Sequence, residues 1–130
     1  MASTLSLDEL RKAIATLEEA LTFADAVKSN SVQFKIARDA CIQRFEYCIE
    51  LSWKVSIKKL GSATKFPKQA VREMARADLI ASAETWLDFI EARNNSSHSY
   101  DEDIAQKVFA EILSFQKEVK FLYSNLEKLA

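Results

Sequence analysis

One eight-residue stretch, Arg93-Asn94-Asn95-Ser96-Ser97-His98-Ser99-Tyr100, brings together three side chains that could do chemistry jointly, and His98 is the only histidine in the chain. An imidazole accepts and returns protons near neutral pH. Arg93 offers a permanent cation with a planar fork suited to phosphate, and Tyr100 offers a hydroxyl that could be modified. RNA carries its own nucleophile in the ribose 2′-hydroxyl. A histidine base or acid beside an arginine that stabilises the phosphorane could therefore cleave RNA without a metal. A blander arrangement uses the same residues: Arg93 caps carbonyls at a helix end and His98 hydrogen-bonds within a loop. Spacing leaves both open. Tyr100 is similarly open, either accessible or packed as a staple at the start of the following helix.

A second cluster lies upstream, in Arg44-Phe45-Glu46-Tyr47 and Glu50-Leu51-Ser52-Trp53-Lys54. Glu46 and Glu50 share a face at i, i+4 spacing, and Glu50 has the same relation to Lys54. Either glutamate could orient Arg93 or His98 across a bundle, with Asn94 beside them in support; surface ion pairing is the alternative. Trp53 and Trp86 are large apolar anchors whose default place is the core, with a subunit interface second. One histidine and two cysteines make no zinc-type ligand set. Any chemistry is expected to work without a bound metal or other cofactor.

These residues need a scaffold, and the composition indicates which kind. A chain of 130 residues with Gly 1 and Pro 1 lacks the turn residues of strands and hairpins. The expectation is all-α: one domain over residues 1–130, an antiparallel up-and-down bundle of four to five helices. A first helix is expected over residues 5–28, capped by Ser3 or Ser6. A long second helix follows over 32–60, with Ile36, Cys41, Phe45, Cys48, Ser52 and Val55 inward and Gly61 as a left-handed cap. Pro67 suits the first turn of a third helix ending near Asp78. A fourth helix starts after Ser82 and reaches Arg93, where the polar run 94–99 breaks it. Asp101, Glu102 and Asp103 favour the start of the last helix, whose stripe is Ile104, Val108, Ile112, Phe115, Val119, Leu122 and Leu126.

Charge limits the possible partners. The net charge of -1 argues against a protein that coats nucleic acid through bulk electrostatics. Residues 35–76 nevertheless carry ten Lys/Arg against four Asp/Glu. This basic middle suits a local site for phosphate or an acidic partner, or simply a solvated face. No apolar run is long enough to span a bilayer, and the first twelve residues carry no secretory signal. Cys41 and Cys48, roughly 10 Å apart along one helix at ~1.5 Å per residue, are expected to be reduced core thiols, consistent with the cytoplasm.

Taken together, Arg44 to Tyr47, Glu50 to Lys54, Pro67, Trp86-Leu87-Asp88, Arg93-Asn94 and His98-Ser99-Tyr100 resemble the nucleotidyltransferase substrate-binding protein family. That family lies within the HEPN superfamily, which includes the HepT-type toxins, and the similarity spans nearly the whole chain. The resemblance implies a homodimer of helical bundles and a separately encoded minimal nucleotidyltransferase as partner. It also implies an Arg-x4-His motif from both subunits meeting at a cleft. In HepT-like members this motif is associated with metal-independent cleavage of RNA. Carried over, Arg93 and His98 become the ribonuclease pair and Tyr100 the acceptor of AMP from the nucleotidyltransferase, which acts as antitoxin. A non-catalytic subunit that binds the nucleotidyltransferase's substrate is the alternative.

Overall fold

In a computed structural model, which describes residues 6–129, the chain is a bundle of five α-helices. They are α1 (Leu7–Ala26), α2 (Ser31–Leu60), α3 (Pro67–Arg76), α4 (Ala83–Asn95) and α5 (Glu102–Glu127), with a short 3₁₀ turn, Ser96–His98, between α4 and α5. Sequence neighbours pack against one another. α1 also meets α5, so α5 closes the bundle, and α2 touches all four other helices.

Local chemistry sets the helix boundaries. Ser6 and Glu9 form a reciprocal capping box at the start of α1, with bonds of 3.1 and 3.3 Å. Residues 1–5, including the anticipated Ser3 cap and Leu5 start, lie outside the described residues. Asn30 accepts from the Gln33 amide at 3.0 Å to start α2. At its other end Gly61 turns left-handed at φ +70°, and the Ser62 amide reaches back to the Ile57 carbonyl. Pro67 opens α3, Ser82 caps α4, and Asp101 caps α5 by accepting from the amides of Asp103 and Ile104. The fourth helix runs two residues past Arg93 before the polar stretch tightens into the 3₁₀ turn.

The core is aromatic where α2, α4 and α5 meet. Phe115 sits edge-on to Phe45 at 5.0 Å, to Phe89 at 5.3 Å and to Trp86 at 5.4 Å between ring centroids. Trp53 is buried too, so both tryptophans serve the bundle's own core. The apolar cluster of α4 is spent in the same way: Trp86, Phe89 and Ile90 face inward and Leu87 is half-buried. The inner stripe of α2 differs from expectation at Ile36, which is 65 % exposed. Ile36 lies five residues before Cys41, about 140° around a helix of 3.6 residues per turn. Ala37, four residues before Cys41, takes the inward position instead. Ser52 and Ser56 are buried but donate to the carbonyls of Cys48 and Ser52 in their own helix, each at 2.7 Å.

Candidate functional site

The end of α4 carries Arg93 into a polar corner facing α2. Its Nη1 lies 3.6 Å from Oε2 of Glu46, with both side chains about a third exposed. Ser96, buried at the first position of the 3₁₀ turn, stands within hydrogen-bonding reach of that same carboxylate oxygen and of the Arg93 carbonyl. A hydroxyl has one proton to give, and the carboxylate is the stronger acceptor. Ser96 thus fastens the start of the turn to Glu46.

Glu46 is therefore the glutamate that meets the motif, and Glu50 is not. Glu50 faces Lys54 at 3.6 Å and accepts from the indole N–H of Trp53 at 3.5 Å. Asn94 is exposed and contributes its carbonyl to the Ser97 hydroxyl at 3.2 Å. Among the described residues Arg93 donates no side-chain hydrogen bond. Its Nε is buried without a partner, and Glu46 holds the guanidinium by charge alone. It does not cap the carbonyls of α4; the Ser96 amide reaches those of Ala92 and Arg93 instead. The Nη donors remain unspent for an incoming anion.

His98 ends the 3₁₀ turn and is exposed, and the ring of Tyr100 stands edge-on to its imidazole at 6.1 Å. Among the described residues the imidazole makes no hydrogen bond. Tyr100 is 86 % exposed, so its hydroxyl is accessible and its ring staples nothing. Among the described residues the corner thus presents a guanidinium held only by charge, an untethered imidazole and an exposed phenol along one short segment.

Two features of the corner had no local sequence signal. Ser96 read as one of several serines in a polar run, and its contact with Glu46 spans fifty positions. Beyond Tyr100, Glu102 opens α5 and receives both Nη groups of Arg38 from α2, at 2.9 and 2.8 Å. That pair spans sixty-four positions. Arg38's hydrogen bonds hold the Glu102 carboxyl down at about 2, with Gln106 adding a further donor. Nearby, α4 and α5 leave a groove of 530 Å³ floored by Ala92, Ile104 and Val108 and rimmed by Asp88, Glu91 and Glu111. Burial first, and Asp88 second, push the Glu111 carboxyl up from its ordinary value. Much of the basic middle is tied to acidic partners: Arg44 to Glu19, Lys54 to Glu50 and Lys68 to Glu91. No described helix is long and apolar enough to cross a membrane.

The chain is similar to a Haemophilus influenzae protein named "Probable ribonuclease HepT", at 30% identity over 141 residues, covering 98% of this chain and 96% of the relative. It also superimposes on a solved Haemophilus influenzae structure described as the fold of a substrate binding domain of a nucleotidyltransferase, with a TM-score of 0.80 and 28% identity. That match covers 93% of this chain and 98% of the solved one. Residues 5–128 match the family described as nucleotidyltransferase substrate binding protein like, and the chain belongs to that family.

Proposed function

We propose that this protein is the HEPN-type partner of a separately encoded minimal nucleotidyltransferase, in a toxin–antitoxin type of pair, and that Arg93 and His98 cleave RNA without a metal. The carrying observation is the donor state of the corner: Arg93 is held by charge yet has unspent Nη groups, and it shares a turn with an exposed, untethered imidazole. The relative named as a ribonuclease supports the same reading. In this chemistry the ribose 2′-oxygen attacks the adjacent phosphorus and its proton goes to a base. The bond from phosphorus to the 5′-oxygen breaks, and that oxygen takes a proton. His98 serves one of these transfers. Arg93 steadies the charge that builds on the phosphorane, and Glu46 fixes the direction from which Arg93 reaches it.

A two-fold homodimer would supply a second copy of Arg93 and His98 to the same cleft. One histidine could then act as base and the other as acid. Tyr100 is the proposed acceptor of AMP: its phenolic oxygen attacks the α-phosphate of ATP, pyrophosphate leaves and the phenol proton is released. The new phosphodiester would place a negative charge and an adenosine beside the corner meant for RNA.

Cleavage of RNA by the purified protein tests this, compared with His98→Ala. Loss of both cleavage and growth arrest in the variant is the expected outcome. Growth arrest that survives the substitution would remove the ribonuclease reading. The description of the solved relative favours one alternative, a non-catalytic subunit that presents substrate to its nucleotidyltransferase. It predicts nucleotide binding without His98-dependent cleavage.

A further inference from the structure

Among the described residues the His98 ring makes no hydrogen bond, so the backbone on either side decides where the ring stands. That backbone is short. It consists of the turn Ser96–His98 and three further residues before α5, joined by the Ser99 amide to the Ser96 carbonyl at 3.1 Å and the Asp101 amide to the His98 carbonyl at 3.0 Å. Upstream it is fastened by Ser96 to Glu46, and downstream Glu102 is gripped by the two prongs of Arg38. Both anchors stand on α2, eight residues apart and so about 12 Å along one rigid rod. The segment bearing His98 and Tyr100 is thus suspended between two polar fixings on a single helix.

Cohesion between α2 and α5 does not require the second fixing. Phe34 and Phe109 already pack edge-to-face at 5.5 Å beside it, with the Arg38 guanidinium 5.9 Å from the Phe34 ring. A guanidinium side chain that is 6 % exposed is expensive to bury, and a two-pronged carboxylate offsets that expense only in one orientation. Apolar contacts tolerate sliding, whereas this pair specifies where the first turn of α5 begins. We infer that the Arg38–Glu102 pair positions the His98–Tyr100 segment for catalysis, making Arg38 and Glu102 positioning residues that touch no RNA; this rests on the ribonuclease reading above.

Glu102→Gln and Glu102→Asp test it, because Glu102 is partly exposed and neither variant opens the core. Glutamine keeps the shape and loses the charge. Aspartate keeps the charge and cannot reach both prongs. RNA cleavage is measured well below the melting temperature, together with hydrogen exchange at the Ser99 and Asp101 amides. In both variants kcat should fall about tenfold or more while KM stays within about twofold, since misplacement of a reacting group costs rate rather than binding. The two amides should exchange faster while the core amides of α5 keep their protection. His98-dependent cleavage with unchanged kcat in both variants would overturn the positioning role and leave the ribonuclease reading intact. If the unaltered protein shows no His98-dependent cleavage, the ribonuclease reading falls. Exchange then decides the anchoring by itself, and unchanged protection at Ser99 and Asp101 would overturn it.

Discussion

At the scale of single residues, the corner makes distinct demands on Arg93, His98 and Tyr100. Arg93→Ala and His98→Ala should each slow RNA cleavage by roughly 10²-fold or more, the usual weight of a positioned proton donor or charge stabiliser. Arg93→Lys should recover little, because an ammonium cannot make the two-pronged contact. Cleavage should persist in EDTA; activity lost to chelator and restored by magnesium would point to a different mechanism. Tyr100, with its ring in solvent, should take up AMP when the protein is incubated with the partner nucleotidyltransferase, ATP and magnesium. Mass spectrometry should locate the added mass on Tyr100 and find none in Tyr100→Phe, and undiminished labelling of that variant would move the acceptor elsewhere. Among these residues the sole histidine was legible from its type alone. Glu46 could be read only as one of two glutamates on the same face, because nothing local separates it from Glu50. The distinction lies in α4 crossing α2 at Glu46, while Glu50 is occupied by Lys54 and Trp53.

At the scale of elements, capping chemistry is local, which is why most helix limits could be read in advance. Ser6, Pro67 and Ser82 stop or start helices through atoms within three residues. Gly61 is the clearest case: an added Cβ would meet nothing within 4 Å, yet φ is +70°. Gly61→Ala should therefore cost about 1–2 kcal/mol through backbone strain alone, read as a lowered denaturant midpoint with an unchanged slope. Long-range polar pairs leave no such local trace, and Arg38 with Glu102 is the leading example. That pair also sets an acid limit. The folded carboxyl sits at about 2 against an ordinary 4.5, so the unfolded chain takes up the proton first as pH falls. The contribution is complete above about 4.5 and disappears as pH drops toward about 2. Melting temperatures of the unaltered protein and of Glu102→Gln should differ at neutral pH and converge across that window. A gap that stays constant down to the lower limit would show that the pair does not govern it.

At the scale of the whole molecule, both tryptophans and the α4 aromatic rings are buried in the bundle, while Phe23, Phe66 and Phe121 stay exposed. Any homodimer must then be built from what remains outside. The groove between α4 and α5 is one such surface, with its apolar floor and a rim of three carboxylates and Lys107. Light scattering at micromolar concentration should give twice the chain mass, and a monomer would sink the two-copy cleft. Within the bundle, the rings of Phe45, Trp86 and Phe89 stand edge-on to Phe115, a cluster of four rings from three helices. Phe115→Ala should cost about 3–5 kcal/mol as the cavity it leaves loosens all three helices. The ring cluster also makes the fold its own optical reporter. Near-ultraviolet circular dichroism of Trp53→Phe, which leaves Trp86 as the one indole, should show sharp fine structure only while α2, α4 and α5 are mutually packed. In an acid state that keeps its helices but loses this register, the far-ultraviolet signal would survive and the indole bands would vanish.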